Sequence, residues 1–211
     1  MKSILKEIFQ DILDGQHSLV PAKVQLALEN GLTPRAILED GMIAAMAEVG
    51  RLFEAGEFYV PEMLLSARAM QAGLTVLKPH LKEANVQAAG RVAIGTVKGD
   101  LHDIGKNLVA MVLEGAGYEV LDLGTDVPAE KFVAVADKVD VLALSGLLTT
   151  TITGMKTIIQ MLQDAGKRNK VKVIVGGAPV TETFAAQIGA DGYAPNASRA
   201  VTLTKALLDK E

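Results

Sequence analysis

The sequence predicts an α/β protein in which an N-terminal four-helix bundle precedes a flavodoxin-like, doubly wound five-stranded parallel sheet. Two observations favour this fold class. Through residue 85 the apolar side chains recur at helical spacing. From Val92 onward, short runs rich in Val, Ile and Leu alternate with helical stretches, as is typical of parallel strands covered on both faces. We therefore expect a helical domain at 1–85 and an α/β domain at 91–211, with the boundary in the polar, small-residue stretch 83–90.

Four apolar periodicities in the first part each have a start or stop signal of a helix. They cover 4–12, 19–28, 33–53 and 61–81. Gly15 and Asn30-Gly31 end the first two runs. Thr33-Pro34 supplies an N-cap and a first helical position for the third, and Pro61 opens the fourth. Four helices with short connections predict a small bundle.

Five apolar runs in the second part predict strands. They lie at 92–96, 119–123, 139–144, 171–175 and 192–194, with helices expected at 104–116, 129–137, 150–165, 181–188 and 196–209. In an open parallel sheet, ligands bind at the carboxyl ends of the strands, near the point where the strand order reverses. The loop 97–105, Ser145 and Gly176 should therefore open on one edge of the sheet.

Composition limits the function classes. Lys plus Arg total 21 against 25 Asp plus Glu, a net charge of −4, so capture of nucleic acid by a basic face is not expected. The absence of Cys excludes disulfides, Cys-based zinc sites, iron–sulfur clusters and thiol catalysis. The N-terminus lacks the apolar run of a signal peptide, and no apolar stretch of about 20 residues is present. We expect a soluble, cytoplasmic protein with no membrane partner.

The stretch from Gly95 to Asn107 concentrates the chemistry of the chain. It places His102, one of three histidines, two residues after Asp100 in a predicted loop between a strand and a helix. Neutral imidazole is a good transition-metal ligand, and its second nitrogen needs a partner such as a carboxylate. Ser145 could extend that relay to Asp100. Gly105 opens the next helix without a side chain that would obstruct a large planar ligand.

Asp100-x-His102-x-x-Gly105, followed in order by Ser145-Gly146-Leu147 and Gly176-Gly177, resembles the cobalamin-binding loop system of corrinoid methyl-carrier proteins. The chain is also similar to the cap and cobalamin-binding domains of cobalamin-dependent methionine synthase. The resemblance implies cobalamin or another corrinoid as cofactor, methylcobalamin in the loaded state, bound with its own base displaced (base-off/His-on). His102 would be the lower axial cobalt ligand, with Asp100 and Ser145 as its relay.

The resemblance implies further cofactor contacts in both domains. In the α/β domain they are Asp103, Gly105, Leu147, Thr149, Gly176, Gly177 and Tyr193, with Asn196 as a weaker candidate beside Tyr193. In the helical domain, the stretch from Leu52 to Met63 resembles the turn between the last two helices of the family's cap. Phe53, Val60 and Met63 would there shield the upper cobalt face.

The function implied is that of a methyl carrier in a three-component methyltransferase system of one-carbon metabolism. Such a protein takes the methyl group from a substrate-specific methyltransferase. It delivers the group to a second methyltransferase acting on a thiol or tetrahydrofolate, with a reductive activating protein as a further candidate partner. The chain would not be catalytic alone. Donors in such systems include methylamines, methanol, methoxylated aromatics and betaines, and the sequence leaves the choice open.

Three other classes stay open at this point. One is a cobalamin-dependent sensor or regulatory module, although no DNA-binding or signalling segment is recognised. The second is the small subunit of an adenosylcobalamin mutase, which would not need an 85-residue helical domain. The third is an α/β protein that binds another nucleotide. A phosphate-binding P-loop is rejected, because five residues separate Gly99 from Gly105 and Asn107 replaces the hydroxyl residue.

Overall fold

The computed structural model describes residues 2–209, which divide into two compact units. The first unit holds the chain up to Ala89 together with Glu114–Gly117. The second holds Gly90–Leu113 and the chain from Tyr118 onward. Each unit is described below by itself. Within the described residues, none of the helices combines the length and the apolar character that crossing a bilayer requires.

The first unit is helical. Its helices are α1 (Lys2–Leu13), α2 (Val20–Glu29), α3 (Pro34–Ala36), a π-helix (Ile37–Ile43), α4 (Ala44–Glu54) and α5 (Val60–Glu83). The predicted third helix is continuous from Pro34 to Glu54 but contains the π-helix, which the apolar spacing did not indicate. Its N-cap is confirmed, since the Thr33 hydroxyl accepts a hydrogen bond from the Ala36 amide at 3.2 Å. The predicted helical fold of this part of the chain is therefore confirmed.

The second unit alternates strands and helices. The strands are β1 (Arg91–Thr96), β2 (Glu119–Asp122), β3 (Val141–Ser145), β4 (Lys172–Gly176) and β5 (Gly192–Ala194). The helices are α6 (Ile104–Gly115), α7 (Ala129–Val135), α8 (Thr153–Asp164), α9 (Glu182–Ile188) and α10 (Ala197–Leu208), with 3₁₀ turns at Ala136–Lys138 and Arg168–Lys170. These bounds lie within a few residues of the predicted ones.

The sheet is entirely parallel, with strand order β2-β1-β3-β4-β5. This is the flavodoxin-like doubly wound order, as predicted. The order reverses between β1 and β3, so the switch point lies there. At the carboxyl edge, Thr96 is in register with Ser145, and Ser145 is in register with Gly176. The loops after β1, β3 and β4 therefore begin side by side.

The sheet is covered by buried apolar side chains. The largest fully buried ones in this unit are Phe132, Ile94, Leu113, Leu142 and Met155. The central strands β1 and β3 are buried at nearly every position, in keeping with their uninterrupted apolar sequence. Burial of the apolar surface of these side chains is the main contribution to the stability of the unit, at about 25 cal/mol per Å² removed from water. The loops of the carboxyl edge therefore extend from well-packed strands.

Candidate cofactor site

The loop after β1 holds His102 by its backbone. Thr96, the last residue of β1, is fully buried, and its hydroxyl donates to the His102 carbonyl at 2.8 Å. Gly99 adopts a left-handed conformation, φ 83°, which a residue without a side chain adopts at little cost. The Asp100 amide donates to the Val97 carbonyl at 3.1 Å and closes a tight turn. The loop is thus folded back on the end of its own strand before α6 begins at Ile104.

Asp100 and His102 form the pair that the sequence suggested. Asp100 Oδ1 lies 2.7 Å from His102 Nδ1 and also accepts a hydrogen bond from the His102 amide at 3.1 Å. The Asp100 side chain is fully buried, whereas 51% of the His102 side chain is exposed. A proton on Nδ1 satisfies the carboxylate and leaves the lone pair of Nε2 available. Within residues 2–209, Nε2 makes no hydrogen bond, so the ring presents a metal-ligating atom to its surroundings.

The second oxygen of Asp100 is held by the loop after β3. Asp100 Oδ2 accepts hydrogen bonds from the Leu147 amide at 2.7 Å, the Leu148 amide at 3.2 Å and the Thr151 hydroxyl at 2.9 Å. Burial alone would raise the pKa of Asp100, but these donors and His102 hold it well below its usual range. The carboxylate therefore stays ionised and keeps the histidine ring oriented. The contact joins the two loops at the topological switch point.

Thr151 is the contact that sequence reasoning missed. Ser145 was expected to donate to Asp100, but no hydrogen bond joins these two side chains anywhere in the described range. The backbone carbonyl of Ser145 instead accepts from the Val97 amide at 2.9 Å. The Ser145 part of the relay stays a prediction, while Thr151 occupies the donor position in the structure. The signal that could have found it is a run of hydroxyl residues, Thr149-Thr150-Thr151, after the strand that neighbours β1.

Exposed apolar side chains lie in the same loops as His102. Leu101 is 74% exposed and Ile104 is 78% exposed, and Leu147 and Leu148 in the loop after β3 are also exposed. Large apolar side chains left in water mark a surface suited to an apolar ligand. A corrin ring offers broad, largely apolar faces around a cobalt ion that accepts an axial nitrogen. The residues present therefore fit the corrinoid that the sequence resemblance implied.

The three predicted glycines have different surroundings. A Cβ at Gly105 would meet no atom within 4 Å, so the space beside α6 is open. A Cβ at Gly176 would lie 2.9 Å from the Ala194 carbonyl oxygen. Gly177 has φ 127°, and a Cβ there would lie 1.9 Å from the Gly146 carbonyl oxygen. Neighbouring backbone therefore leaves no room for a side chain at Gly176 or Gly177, and the contact of these glycines with the cofactor stays a prediction.

The remaining predicted contacts in this unit are placed near the same edge. Asp103 Oδ2 accepts from the Asn107 side chain at 3.1 Å, one turn along α6. Thr149 is exposed, and Tyr193 is half-buried against the core beneath β5. Asn196 caps α10 by accepting from the Arg199 amide at 2.9 Å, which gives this side chain a structural role. The cofactor contacts of Asp103, Thr149 and Tyr193 stay predictions.

The three predicted cofactor contacts of the helical unit differ in exposure. Phe53 near the end of α4 is half-buried, and Val60 at the start of α5 is exposed. Met63 is fully buried and offers a ligand no surface. Tyr59, which the sequence reasoning did not single out, is the most exposed large apolar residue of this turn, at 66%. The amide of Tyr59 is held by Glu62 Oε2 at 3.0 Å, which fixes the entry into α5.

Comparison with known proteins places both units in one family. A model described as a B12 binding domain matches residues 90–202, and a second model of the same description matches residues 4–78. The dimethylamine corrinoid protein 1 of Methanosarcina acetivorans is 43% identical over 210 residues, which is 98% of each chain. A corrinoid protein of Desulfitobacterium hafniense is 39% identical over 99% of each chain.

Comparison with solved structures leads to the same family. A chain of the methanol:cobalamin methyltransferase complex of Methanosarcina barkeri superposes with a TM-score of 0.87 at 31% identity, covering 99% of this chain and 81% of that one. The monomethylamine corrinoid protein of Methanosarcina barkeri gives 0.54 at 33% identity, covering 98% and 99%. The chain described here therefore belongs to the B12-binding family of corrinoid proteins, and its cofactor is cobalamin or another corrinoid.

Proposed function

We propose that this protein is a methyl carrier that binds its corrinoid base-off with His102 as the lower axial ligand. It would pass a methyl group from a substrate-specific methyltransferase to a second methyltransferase acting on a thiol or tetrahydrofolate. When bound, the corrinoid supplies a cobalt that accepts and releases the methyl group. The observation that carries the proposal is the buried Asp100 carboxylate, which orients an exposed imidazole whose Nε2 makes no hydrogen bond within residues 2–209, in a loop that also carries the exposed side chain of Leu101.

The chain's own residues have separable tasks in this proposal. Asp100 fixes the tautomer and orientation of His102, and its buried hydrogen bonds keep it ionised. Thr151 and the amides after β3 hold Asp100 from the other side. Leu101 and Ile104 supply apolar surface beside the imidazole. Val60 and Phe53 are the side chains of the helical unit that we propose shield the methyl group, an apolar task that their partial exposure permits.

The relatives' names guide the choice of donor. Relatives of comparable length include dimethylamine and trimethylamine corrinoid proteins, and the superposed complex is a methanol methyltransferase. We infer that the donor is a small methylated amine or methanol, delivered by a methyltransferase that is a separate protein. Reducing the reconstituted carrier to Co(I) with a chemical reductant, and then mixing it with purified methylamine and methanol methyltransferases, each with its own substrate, tests this. Methylation with one of these enzymes is expected, and methylation with none would contradict the donor class.

The test of His-on binding is anaerobic reconstitution of the purified full chain with hydroxocobalamin, followed by desalting. We expect near-stoichiometric corrinoid to be retained. After reduction to the Co(II) state, EPR of protein labelled with ¹⁵N-histidine should show an axial nitrogen that comes from the protein and not from the corrinoid's own base. His102→Ala should lose that signal.

His17→Ala and His80→Ala are the matched controls, because they remove the other two histidines of the chain. Both should keep the ¹⁵N coupling. An unlabelled axial nitrogen in the wild-type protein, or an intact signal in His102→Ala, would contradict the base-off/His-on proposal. Failure to retain any corrinoid would contradict the carrier function itself.

A further inference from the structure

The segment 122–127, which begins at the last residue of β2, contacts the His102 loop (residues 97–103) near its start and contacts helix α6 just after its end. This segment belongs to the α/β unit, and sequence reasoning assigned it no role. Its backbone runs beside the end of β1, where the Thr96 amide donates to the Gly124 carbonyl at 3.0 Å and the Val127 amide donates to the Thr96 carbonyl at 2.9 Å. Val97 and Val127 form an isolated parallel bridge. The 122–127 segment is therefore fixed to the strand that carries the site.

Asp126 holds the beginning of the His102 loop. Its Oδ1 accepts from the Gly99 amide at 2.7 Å, and its own amide donates to the Asp100 carbonyl at 2.9 Å. These reciprocal contacts require Asp126 to adopt φ 52°, a left-handed conformation that is uncommon for residues other than Gly. Among residues with a side chain, Asp and Asn tolerate this region best. The position therefore combines an unusual backbone with a carboxylate acceptor aimed at the loop.

Asp122 holds the end of the same loop through Lys106. The Lys106 ammonium lies in the first turn of α6, and its side chain is only 2% exposed. It donates to Asp122 Oδ2 at 2.5 Å and to Asn107 Oδ1 at 2.6 Å. Asp122 Oδ1 in turn accepts from the Gly124 amide at 2.9 Å. A buried ammonium is strongly destabilising without a partner, so this ion pair ties the start of α6 to the end of β2.

We propose that Asp122 and Asp126 form a two-carboxylate clamp that positions the His102 loop for cobalt ligation. Both are positioning residues, since they act on His102 through Gly99, Asp100 and Lys106. The clamp lies beside the loop on the β2 side, while Thr151 and its neighbouring amides hold Asp100 from the β3 side. The loop is thereby fixed between its two neighbouring connections. The inference rests on the proposed His-on binding, which it extends to the residues that prepare the loop before the cofactor arrives.

The first experiment separates the Asp126 carboxylate from its backbone conformation. Asp126→Gly keeps a residue that adopts positive φ but removes the acceptor, whereas Asp126→Asn keeps both the conformation and an acceptor oxygen. In the cofactor-free full chain, we expect the Gly99 amide of Asp126→Gly to exchange with solvent about tenfold faster than in wild type, and that of Asp126→Asn within about twofold. Equal exchange in all three proteins would overturn the Asp126 half of the clamp.

The second experiment asks whether the clamp affects ligation. After reconstitution with hydroxocobalamin and reduction, ¹⁵N-histidine EPR gives the ratio of His-on to His-off cobalt. We expect this ratio to fall about tenfold in Asp126→Gly and to be restored by Asp126→Asn. Asp122→Ala should lower it as well. Its matched control is Glu119→Ala, which removes the carboxylate of an exposed ion pair with Arg91 at the opposite end of the same strand.

The outcomes distinguish the clamp from the proposed function. A wild-type protein that binds His-on, with Asp126→Gly and Asp122→Ala equal to Glu119→Ala, would overturn the clamp and leave the carrier function intact. A wild-type protein that binds without His102 would overturn the proposed function, and the Gly99 exchange rates of the cofactor-free protein would still decide whether the loop is clamped. Should Asp122→Ala not fold, the Asp126 variants carry the test on their own.

Discussion

The buried carboxylate of Asp100 receives hydrogen bonds from the His102 ring, from backbone amides on two loops and from the Thr151 hydroxyl. Buried acceptors of this kind are costly to leave unsatisfied, so each donor contributes to the fold as well as to the orientation of His102. Because Asp100 is ionised, its bonds are of the stronger, charge-assisted kind. The site is therefore held by hydrogen bonds within the α/β unit.

Removing the Thr151 hydroxyl should weaken this network in a measurable way. We expect Thr151→Val, which keeps the shape of the side chain, to lower the free energy of unfolding of the cofactor-free protein by about 1–2 kcal/mol. Thr151→Ser should stay close to wild type, since it keeps the donor. Urea titrations followed by circular dichroism measure both. A Thr151→Val protein as stable as wild type would show that the hydroxyl does not stabilise Asp100.

Ser145→Ala tests which hydroxyl stabilises Asp100. The sequence predicted that of Ser145, whereas the structure shows a hydrogen bond from Thr151. Because the Ser145 hydroxyl makes no hydrogen bond within residues 2–209, we expect its removal to change the free energy of unfolding by less than about 0.5 kcal/mol. A loss equal to that of Thr151→Val would instead favour Ser145 as the partner of Asp100. The same urea titrations provide the comparison.

The sequence predicted the Asp100–His102 pair because the two residues lie in one short loop. Their side chains can form a hydrogen bond there without depending on contacts from other elements of the fold. The sequence did not predict Thr151, since that contact depends on how the residues after β3 turn before α8 begins. The predicted helix at 150–165 starts only at Thr153, because the Thr151 and Ile152 amides both donate to the Leu148 carbonyl and form a turn. Local spacing does not determine such a turn. Asp122 and Asp126 were missed for the same reason, since their contacts also depend on how a connection folds and not on local spacing.

At the scale of the elements, replacing the glycine after β1 and the glycine after β4 with alanine should change stability in opposite directions. Gly105→Ala adds a methyl group in the first turn of α6, where it meets no atom within 4 Å. We expect it to raise the free energy of unfolding of the cofactor-free protein by about 0.5–1 kcal/mol. The same variant should retain less corrinoid after desalting, since the methyl group occupies space beside the imidazole loop. Higher stability with unchanged retention would show that no ligand approaches Gly105.

Gly177→Ala is the contrasting change at the end of β4. Its Cβ would lie 1.9 Å from the Gly146 carbonyl oxygen on a backbone with φ 127°. We expect a loss of at least about 2 kcal/mol in the cofactor-free protein, because both the contact and the conformation are unfavourable. Thermal unfolding measures this without any cofactor. A stable Gly177→Ala protein would mean that the loops after β3 and β4 separate more easily than their packing indicates.

The ion pair between α6 and β2 should make stability depend on pH. Burial would raise the pKa of Asp122, but hydrogen bonds from Lys106 and the Gly124 amide lower it below its ordinary value. A carboxyl whose pKa is lower in the folded state stabilises the protein above its unfolded pKa, near 3.9, and loses that contribution as the pH falls. We expect wild type to be more stable than Asp122→Asn at about pH 6, and the difference to shrink towards about pH 3. A difference independent of pH would contradict an ionised Asp122.

At the scale of the whole molecule, the alternation of apolar runs and helical stretches predicted a doubly wound parallel sheet, and the structure confirms it. Strands β1, β3 and β4 are buried at most positions, so their apolar sequences alone carry the signal, whereas β2 is mostly exposed. The π-helix at Ile37–Ile43 was not predictable, because it shifts the helical register without breaking the apolar spacing. The domain boundary in the 83–90 stretch was placed by composition, and it stays a prediction.

That boundary can be tested by limited proteolysis, because the methyl carrier that we propose would have to expose its cofactor to two methyltransferases in turn. Helix α5 ends at Glu83, whose side chain is 78% exposed, and most of the residues that follow up to Gly90 are exposed and without regular structure. We expect a Glu-specific protease to cut first after Glu83, with Glu83→Gln removing that cut as the control. The cleavage rate should differ between cofactor-free and corrinoid-loaded protein. First cuts elsewhere in both states would contradict a mobile connection and, with it, movement of the helical unit during methyl transfer.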